Sequence, residues 1–347
     1  MEHEPIDFNE VYRIAQEQSV VGLIAAGVEH VTDAKAPKGI VLTLVGETLQ
    51  LEQRNMGMND FISNLVEKMR RDGIYTLLVK GQGIAQCYER PLWRASGDVD
   101  FFLSDENYHK ALRLLSPISS HVDEEKKRIQ HIEMTIDGWS VELHGTMRNG
   151  LWKKLDRTID DVKNAVFCGD HIRSWMNGRT QVFLPAADED IIIVFTHIIQ
   201  HFFSEGIGLR QICDWCRLLW AYRNSVKYGL LESRIKKAGL LSEWKAFAAL
   251  AVNYLGMPVE AIPLYSESNR WKRKANKIMA FVIETGNFGH NRDYTYYKKY
   301  PYVIYKTISL WRHTKDGFRY FTIFPLDSVK VWWSMIKEGV RHIIRWK

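Results

Sequence analysis

Residues 76–103 read TLLVKGQGIAQCYERPLWRASGDVDFFL, and the fold prediction starts from this stretch. A short apolar strand over 76–79 leads into a Lys-Gly-Gln-Gly turn and a short helix. A basic connection with a proline follows, and then a second strand that carries Asp98 and Asp100. Residues two apart on a strand point to the same face, so these two aspartates project together. The apolar residues between and after them face a predicted core: Val99, Phe101 and Leu103.

The two aspartates make this strand unusual. Adjacent carboxylates on an otherwise apolar strand repel each other and raise each other's pKa, and packing does not require them. A bound divalent cation would remove the repulsion. Asp98 and Asp100 are therefore candidate metal ligands, and a surface salt-bridge cluster is the alternative.

Composition excludes few function classes. Hydrophobic residues make up 46% and charged residues 25% of the chain, as in an ordinary globular protein. A length of 347 residues predicts two domains, or one core with a large helical extension. A formal net charge of +6 suits a phosphate-bearing ligand or an anionic surface, but does not by itself indicate nucleic acid.

The chain carries no pattern typical of export or membrane insertion. The segment MEHEPIDFNE is too acidic for a secretory signal, and no uncharged apolar run reaches membrane-spanning length. Four cysteines in this length give no disulfide framework. We therefore expect a cytoplasmic protein.

Helical patterns flank the central stretch on both sides. Apolar residues at helical spacing predict a preamble of two or three helices that ends at Asp72-Gly73. Ser104 starts a predicted helix through about Leu115, and residues 150–186 look less regular, with one strand over 181–184. Asp188 can cap a helix through about Phe203. Further helices are predicted near 209–222, 230–237, 242–255, 268–284, 300–312 and 327–346.

Residues 129–144 form the clearest predicted hairpin, because Asp137-Gly138 separates two alternating runs. Pairing Ile136 with Trp139 places all six apolar side chains on one face. The other face then carries Thr135 with Ser140, Glu133 with Glu142, and His131 with His144. Two acids and two histidines in cross-strand contact are unusual for a plain solvent-facing side.

Glu142 adds a third carboxylate to the aspartate pair. Two acids on one strand and a third on a neighbouring strand suit two Mg²⁺ ions about 3.5–4 Å apart, the arrangement used in phosphoryl displacement. The turn of Lys80, Gly81, Gln82 and Gly83 follows a strand and opens a helix, so its backbone N–H groups could hold a phosphate.

These motifs resemble the nucleotidyltransferase fold of the DNA polymerase β type, and more closely the bacterial family of uncharacterised nucleotidyltransferases. The resemblance rests on VKGQGIAQCYERPLWRASGDVDFFL and VELHG, and covers about 76–217. That family shows a Lys-Gly turn, an Arg four residues before Asp-x-Asp, and a Glu-Leu-His strand. The matching residues are Lys80-Gly81, Arg94, Asp98, Asp100 and Glu142-Leu143-His144, followed by His197, His201, Leu209-Arg210 and Asp214.

The resemblance implies an α+β fold with a small mixed β-sheet, a helical preamble and a helical C-terminal domain. We expect a nucleotidyltransferase-like domain over 1–186, with its preamble at 1–72 and core at 73–186, and a helical domain over 187–347.

By the same resemblance, Asp98 and Asp100 would hold both metal ions and Glu142 would complete the site. Lys80 and Arg94 would neutralise the triphosphate and the departing pyrophosphate. The implied reaction moves a nucleoside monophosphate from an NTP to a hydroxyl of a small molecule or protein, with Mg²⁺ or Mn²⁺.

Gln82 departs from the wider superfamily, which has Gly-Gly or Gly-Ser at the turn. This keeps open a nucleotide-binding module without turnover. An RNA 3′-end nucleotidyltransferase is a third hypothesis, for which the loop over 286–300 offers Arg292, Lys298 and Lys299. Nucleic acid is not the partner that we expect.

Several other polar residues have two readings. His131, Glu133 and His144 could position Glu142 or contact the acceptor, or form a structural pair. His197, His201 and Asp214 are acceptor-site candidates. Asp214 could instead pair with Arg210, and His197 and His201 could bind zinc with Cys213 and Cys216 unless these cysteines are small core residues.

Residues 327–347 combine an apolar face with basic residues elsewhere. A basic amphipathic helix can lie on a membrane surface, so peripheral membrane contact is one hypothesis. Docking of this helix on its own protein is the alternative that we favour.

Overall fold

The structure is a computed structural model that describes residues 6–169, 171–292 and 299–334. Three helices form the preamble: α1 (Phe8–Glu17), α2 (Val21–Val28) and α3 (Lys38–Arg71). The central part contains β1 (Leu77–Val79), α4 (Gly81–Ala85), a 3₁₀ turn (Pro91–Trp93), β2 (Asp98–Phe102), α5 (Asp105–Leu115), β3 (His121–Val122), β4 (His131–Ile136) and β5 (Trp139–His144). Then follow α6 (Lys153–Cys168), β6 (Ile172–Asn177) and β7 (Thr180–Pro185).

The remaining described part of the chain is helical. It comprises α7 (Ala187–Phe202), α8 (Leu209–Ala221), α9 (Tyr228–Ala238), α10 (Leu241–Leu255), α11 (Asn269–Thr285), α12 (Tyr302–Ile323) and a helical stretch over 325–334. Among the described residues, no helix combines the length and apolar character needed to cross a membrane. The predicted α+β class is confirmed.

The strands form one mixed sheet with the order β3-β4-β5-β2-β1-β7-β6. Strand β2 is antiparallel to β1 and parallel to β5, so the aspartate strand lies between the glycine turn's strand and the hairpin. The β4–β5 hairpin has the predicted register, with Ile136 opposite Trp139 and Glu133 opposite Glu142. Positive φ angles at Asp137 (50°) and Gly138 (80°) match the two-residue turn that Asp-Gly favours.

The two faces of the sheet differ as the alternation predicts. One face is apolar and packs on the C-terminal half of α3 and on α5 through a buried core that includes Ile62, Met69, Tyr108, Val99, Phe101, Met134, Val141 and Leu143. Because side chains alternate along each strand, the intervening residues of β2, β4 and β5 lie on the other face. This second face holds the acids and histidines.

The region 150–186 was predicted as irregular, and this was wrong in two places. Helix α6 buries Leu155, Ile159, Val162 and Val166 at helical spacing. Strand β6 escaped prediction because its exposed side carries Ile172 and Met176, which inverts the usual alternation of polar and apolar residues. Asp188 does not cap α7 but lies in its first turn, where its carboxylate accepts from the N–H of Lys227 at 2.7 Å.

Two compact units make up the structure. The first comprises 1–148, 159–195 and 209–227 and contains the sheet, and the second comprises 149–158, 196–208 and 228–347. The second unit has an aromatic core in which Phe202 contacts Phe247, Phe281, Tyr320 and Phe324. The predicted division into domains at residue 186 stays a prediction.

Candidate functional site

Three carboxylates meet on the polar face of the sheet. In the parallel pairing of β2 with β5, Asp100 lies beside Glu142 and Asp98 lies beside Ser140. The ligand oxygens of Asp98, Asp100 and Glu142 all lie within 4.8 Å of one another. The structure thus brings together the three acids that the sequence placed on two separate strands.

Asp100 is the most enclosed of these acids, with 1% of its surface exposed. Its Oδ1 atom has partners, but its buried Oδ2 atom has no hydrogen-bond partner among the described residues. An unpaired buried carboxylate oxygen is costly, and a cation at this point would satisfy it. A surface salt-bridge cluster does not describe such a group, and the donor set fits a hard divalent ion such as Mg²⁺.

Two basic side chains contact Asp100, one from the end of each strand that flanks β2. Lys80 Nζ lies 2.6 Å and His144 Nε2 lies 2.8 Å from Asp100 Oδ1. Burial alone would lower the pKa of Lys80, but the nearby carboxylates, first that of Asp100, outweigh it and raise that pKa. Lys80 also has φ of +55°, a backbone conformation that residues with a Cβ rarely adopt. The turn therefore holds this ammonium group against the acids under backbone strain.

The pKa of Asp98 is shifted by the neighbouring carboxylate. Repulsion by Asp100, together with burial, raises the pKa of Asp98 to about 6. Glu142 behaves differently: burial would raise its pKa, but hydrogen bonds from His131 and His144 outweigh burial and lower it. The pKa values of neighbouring acids are thus pushed apart, a common feature of functional sites.

The two histidines of the hairpin bracket Glu142. His131 Nε2 lies 3.2 Å and His144 Nε2 lies 3.1 Å from Glu142 Oε2. Burial acts to lower the pKa of His144, and hydrogen bonds to Asp100 and Glu142 reverse this and raise it. Glu133 is also on this face, where Ser140 Oγ donates to its Oε1 at 2.8 Å.

Gln82 is directed into the protein rather than toward solvent. Its side chain is buried, and its Nε2 donates to Asn55 Oδ1 at 2.8 Å. Asn55 Nδ2 in turn donates to the carbonyls of Leu92 and Arg94, at 2.7 and 2.8 Å. The side chain of Gln82 therefore links the turn to α3, and the sequence prediction missed this contact of Asn55. A polar residue among the buried apolar positions of α3 was the feature of the sequence that could have indicated this contact.

Gly81 and Gly83, on either side of Gln82, lie where a side chain would be crowded by neighbouring atoms. Gly81 has φ of +36°, and a Cβ there would lie 3.3 Å from the Asp98 carbonyl oxygen. A Cβ on Gly83 would lie 3.0 Å from the side chain of Leu184 and 3.4 Å from the Leu78 carbonyl oxygen. Because both positions lack a side chain, the turn can approach β2 closely at Gly81, and β1 and β7 closely at Gly83.

Arg94 has a different partner from the predicted triphosphate. Its Nε and Nη2 donate to Asp214 Oδ1 and Oδ2 at 2.9 and 2.6 Å, and both side chains are buried. Tyr88 also donates to Asp214 Oδ1, at 2.8 Å. Asp214, which the sequence suggested as a partner of Arg210, is thus engaged by Arg94 and Tyr88. Contact of Arg94 with phosphate stays a prediction.

The histidines and cysteines that the sequence suggested as zinc ligands do not form a metal-binding group among the described residues. The rings of His197 and His201 contact each other, with centroids 4.3 Å apart. Burial raises the pKa of the Cys213 thiol to about 12 and that of the Cys216 thiol well above its ordinary value. Within the described residues, two groups could hold a metal, and neither includes these four residues.

The loop that favoured RNA lies partly outside the described residues. Lys298 belongs to the stretch 293–298, which the structure does not describe. Arg292 lies 3.0 Å from Asp316, so its charge is matched within the protein. The described part of this loop gives RNA binding no added support.

Comparison with protein families places the chain in a known family. The model of the family described as uncharacterised nucleotidyltransferase matches residues 4–256, well over half of the chain. The chain belongs to this family. Comparison with curated proteins and with solved structures gave no match.

Membership in the uncharacterised nucleotidyltransferases supports a role in nucleotidyl transfer. The matched residues include the preamble, the whole sheet and both elements that carry the acids. They end before α11 and α12, so the last helices lie beyond the part that defines the family.

Proposed function

We propose that the chain transfers a nucleoside monophosphate from an NTP to a hydroxyl of a small molecule or protein. The hydroxyl oxygen forms a bond to the α-phosphorus, and the bond from that phosphorus to the oxygen bridging to the β-phosphate breaks. Pyrophosphate leaves with that bonding pair, and the hydroxyl proton passes to a base. The acceptor belongs to the proposal only as a class.

One observation carries this proposal: three carboxylates on adjacent strands with their oxygens within 4.8 Å, one of them buried with an unpaired oxygen. Asp98, Asp100 and Glu142 would hold divalent ions. When bound, Mg²⁺ or Mn²⁺ would polarise the α-phosphate and offset the charge of the leaving pyrophosphate. Family membership supports the same reaction class.

The other residues would orient and neutralise. Lys80 is the cation closest to the acids, so it would contact phosphate oxygens once the acids accept metal ions. His131 and His144 would hold the carboxylate of Glu142 in place through their contacts with Oε2. Gln82 and Asn55 would keep the glycine turn in position through their hydrogen bond.

A nucleotide-binding module without turnover is the second candidate. It is favoured by the internal pairing of Asp100, whose Oδ1 atom already contacts Lys80 and His144. The argument from Gln82 carries less weight, because its side chain is buried against α3.

Pyrophosphate release separates the two candidates. The purified chain is incubated with each NTP, Mg²⁺ and pools of sugars, nucleosides and hydroxyl-bearing peptides. The proposal expects Mg²⁺-dependent release that needs one of the pools. NTP binding without release from any pool would favour the silent module, and absence of NTP binding would count against both.

A further inference from the structure

The histidine end of the site has its own ligand geometry. His131 and His144 face each other as the last pair of the β4–β5 hairpin, with ring centroids 4.8 Å apart. Both Nε2 atoms approach the same oxygen, Glu142 Oε2, at 3.2 and 3.1 Å. Two imidazole nitrogens and one carboxylate oxygen therefore converge on a small volume.

These separations match the ligands of one metal ion. Ligand atoms about 2.1 Å from a zinc ion lie roughly 3.0–3.4 Å from one another at the usual coordination angles. Imidazole suits Zn²⁺, Co²⁺ and similar ions, whereas Mg²⁺ prefers oxygen ligands. The side chains are partly or fully buried, with 14% of His131 and 9% of His144 exposed, so their positions are restrained by packing.

We propose that His131, Glu142 and His144 form a transition-metal site next to the three carboxylates. Glu142 belongs to both groups, so the site would select a borderline ion at its histidine end and a hard ion at its aspartate end. The inference concerns which ions bind and holds whether or not the chain transfers nucleotides. The competing account is that the two histidines only form hydrogen bonds with Glu142 and Asp100 and bind no metal ion.

Cobalt is a suitable probe because its visible absorption reports nitrogen ligands. The metal-free 347-residue chain is titrated with Co²⁺ in excess Mg²⁺, and Zn²⁺ is then added. We expect one Co²⁺ with visible bands that Zn²⁺ displaces and Mg²⁺ does not. His131→Gln and His144→Gln should each weaken Co²⁺ binding at least about tenfold.

His121→Gln is the matched control, because His121 is exposed on β3 and pairs with Asp123. Circular dichroism checks folding, and the less buried His131 variant serves if the His144 variant unfolds. Cobalt binding that survives both substitutions, or that excess Mg²⁺ abolishes, would overturn the proposal.

A second inference rests on a different part of the chain. Helix α12 and the stretch 325–334 each pack one side inward through Tyr320, Ile323, Phe324 and Val331. Their other sides expose large apolar residues at helical spacing, with Trp311 at 69%, Phe318 at 70% and Leu326 at 77% exposed. Phe321, Val329 and Trp332 are also exposed. We call these six residues the aromatic surface.

The charge of the sequence that contains and follows these six residues indicates a partner. Residues 302–347 contain nine Lys or Arg and three Asp or Glu, and this excess of six positive charges equals the formal net charge of +6 of the whole chain. Tryptophan is enriched where proteins meet a membrane surface, and Lys or Arg near anionic lipid adds electrostatic attraction. We infer that the aromatic surface docks on an anionic lipid membrane.

Vesicle binding tests this inference. The 347-residue chain is sedimented with vesicles of phosphatidylcholine alone or of an equal mixture with phosphatidylglycerol. We expect binding to the anionic vesicles that weakens with salt, and a loss of at least about fivefold in Phe318→Ser/Leu326→Ser. The matched control is Leu42→Ser/Leu49→Ser, which removes two exposed leucines from α3.

Two results would overturn the membrane assignment. One is equal sedimentation of the wild type with both kinds of vesicle, or with neither. The other is a concentration-dependent dimer that the Phe318→Ser/Leu326→Ser variant abolishes, since a second copy would then be the occupant of the aromatic surface.

Discussion

At the scale of single residues, the site depends on a conflict between like charges. Asp98 and Asp100 share one face of β2, and Asp100 is fully enclosed with one oxygen unpaired among the described residues. Lys80 and His144 offset part of this charge through the other oxygen. The protein's own side chains do not fully offset the repulsion between these carboxylates, and bound cations would do so.

Asp100→Asn tests the central acid. The substitution keeps the shape of the side chain but removes a charged ligand, so we expect NTP-dependent pyrophosphate release to fall at least about a hundredfold. Release is measured with saturating NTP and Mg²⁺. Asp123→Asn, an exposed acid near β3, should leave release unchanged. Wild-type release by a folded Asp100→Asn protein would remove Asp100 from the site.

The raised pKa of Asp98 predicts how stability depends on pH. Its pKa is about 6 in the folded protein against an ordinary 3.8, so the folded state binds the proton more tightly. The stabilisation is complete below about pH 4 and is lost as pH rises through about 6. In metal-free buffer, Asp98→Asn should therefore be more stable than wild type at pH 8, by up to about 3 kcal/mol.

Urea unfolding at pH 4 and pH 8 with a chelator measures this difference. At pH 4 the two proteins should differ by less than about 1 kcal/mol, because Asp98 is then protonated in the folded state and close to its ordinary pKa of 3.8 in the unfolded state. A variant that is less stable than wild type at pH 8 would contradict the assigned repulsion.

At the scale of structural elements, hydrogen bonds and one ion pair connect the glycine turn to its surroundings. Asn55 on α3 accepts from Gln82 and donates to two carbonyls of the connection after α4. Arg94, in that connection, pairs with Asp214 on α8. The turn is thus held by contacts with residues distant in sequence.

Asn55→Ala should lower the free energy of unfolding by about 2–4 kcal/mol, because it leaves several buried polar groups without partners. Urea unfolding is the measurement. Asn64→Ala, an exposed position on the same helix, should change stability by less than about 1 kcal/mol. Equal effects of the two substitutions would show that the hydrogen bonds of Asn55 do not stabilise the turn.

Arg94→Met separates a structural role from phosphate binding. It leaves Asp214 charged and buried, so we expect a loss of about 3–5 kcal/mol in stability, part of which Asp214→Asn in the same chain should restore. Thermal and urea unfolding of the single and double variants measure this. A stable Arg94→Met protein with weakened NTP binding would instead support the role implied by the family.

The elements that could be predicted from sequence are those whose pattern is local. The Asp-Gly turn determined the hairpin register, and with it the positions of Glu142, His131 and His144. Pairing between β2 and β5 could only be inferred from chemistry, since strand order is a long-range property. Strand β6 was missed because its exposed side is apolar, and the partner of Arg94 lies 120 residues away in sequence.

At the scale of the whole molecule, family membership and the site both support nucleotidyl transfer, and neither identifies the acceptor. The family match covers 4–256, and the aromatic surface lies entirely after it. This division predicts that the sheet and its acids carry the shared chemistry. We expect the last helices to determine where the protein acts, through the membrane contact inferred above.

The most direct test of the central claim is a thermal-shift panel of the four NTPs with wild type and Asp100→Asn, each with and without Mg²⁺. We predict that at least one NTP stabilises wild type when Mg²⁺ is present, by about 2.7 kcal/mol at a hundred times its Kd. We also predict that this shift disappears in Asp100→Asn or without Mg²⁺. A wild-type protein that no NTP stabilises in the presence of Mg²⁺ would contradict the assignment of these acids to a metal-dependent nucleotide site.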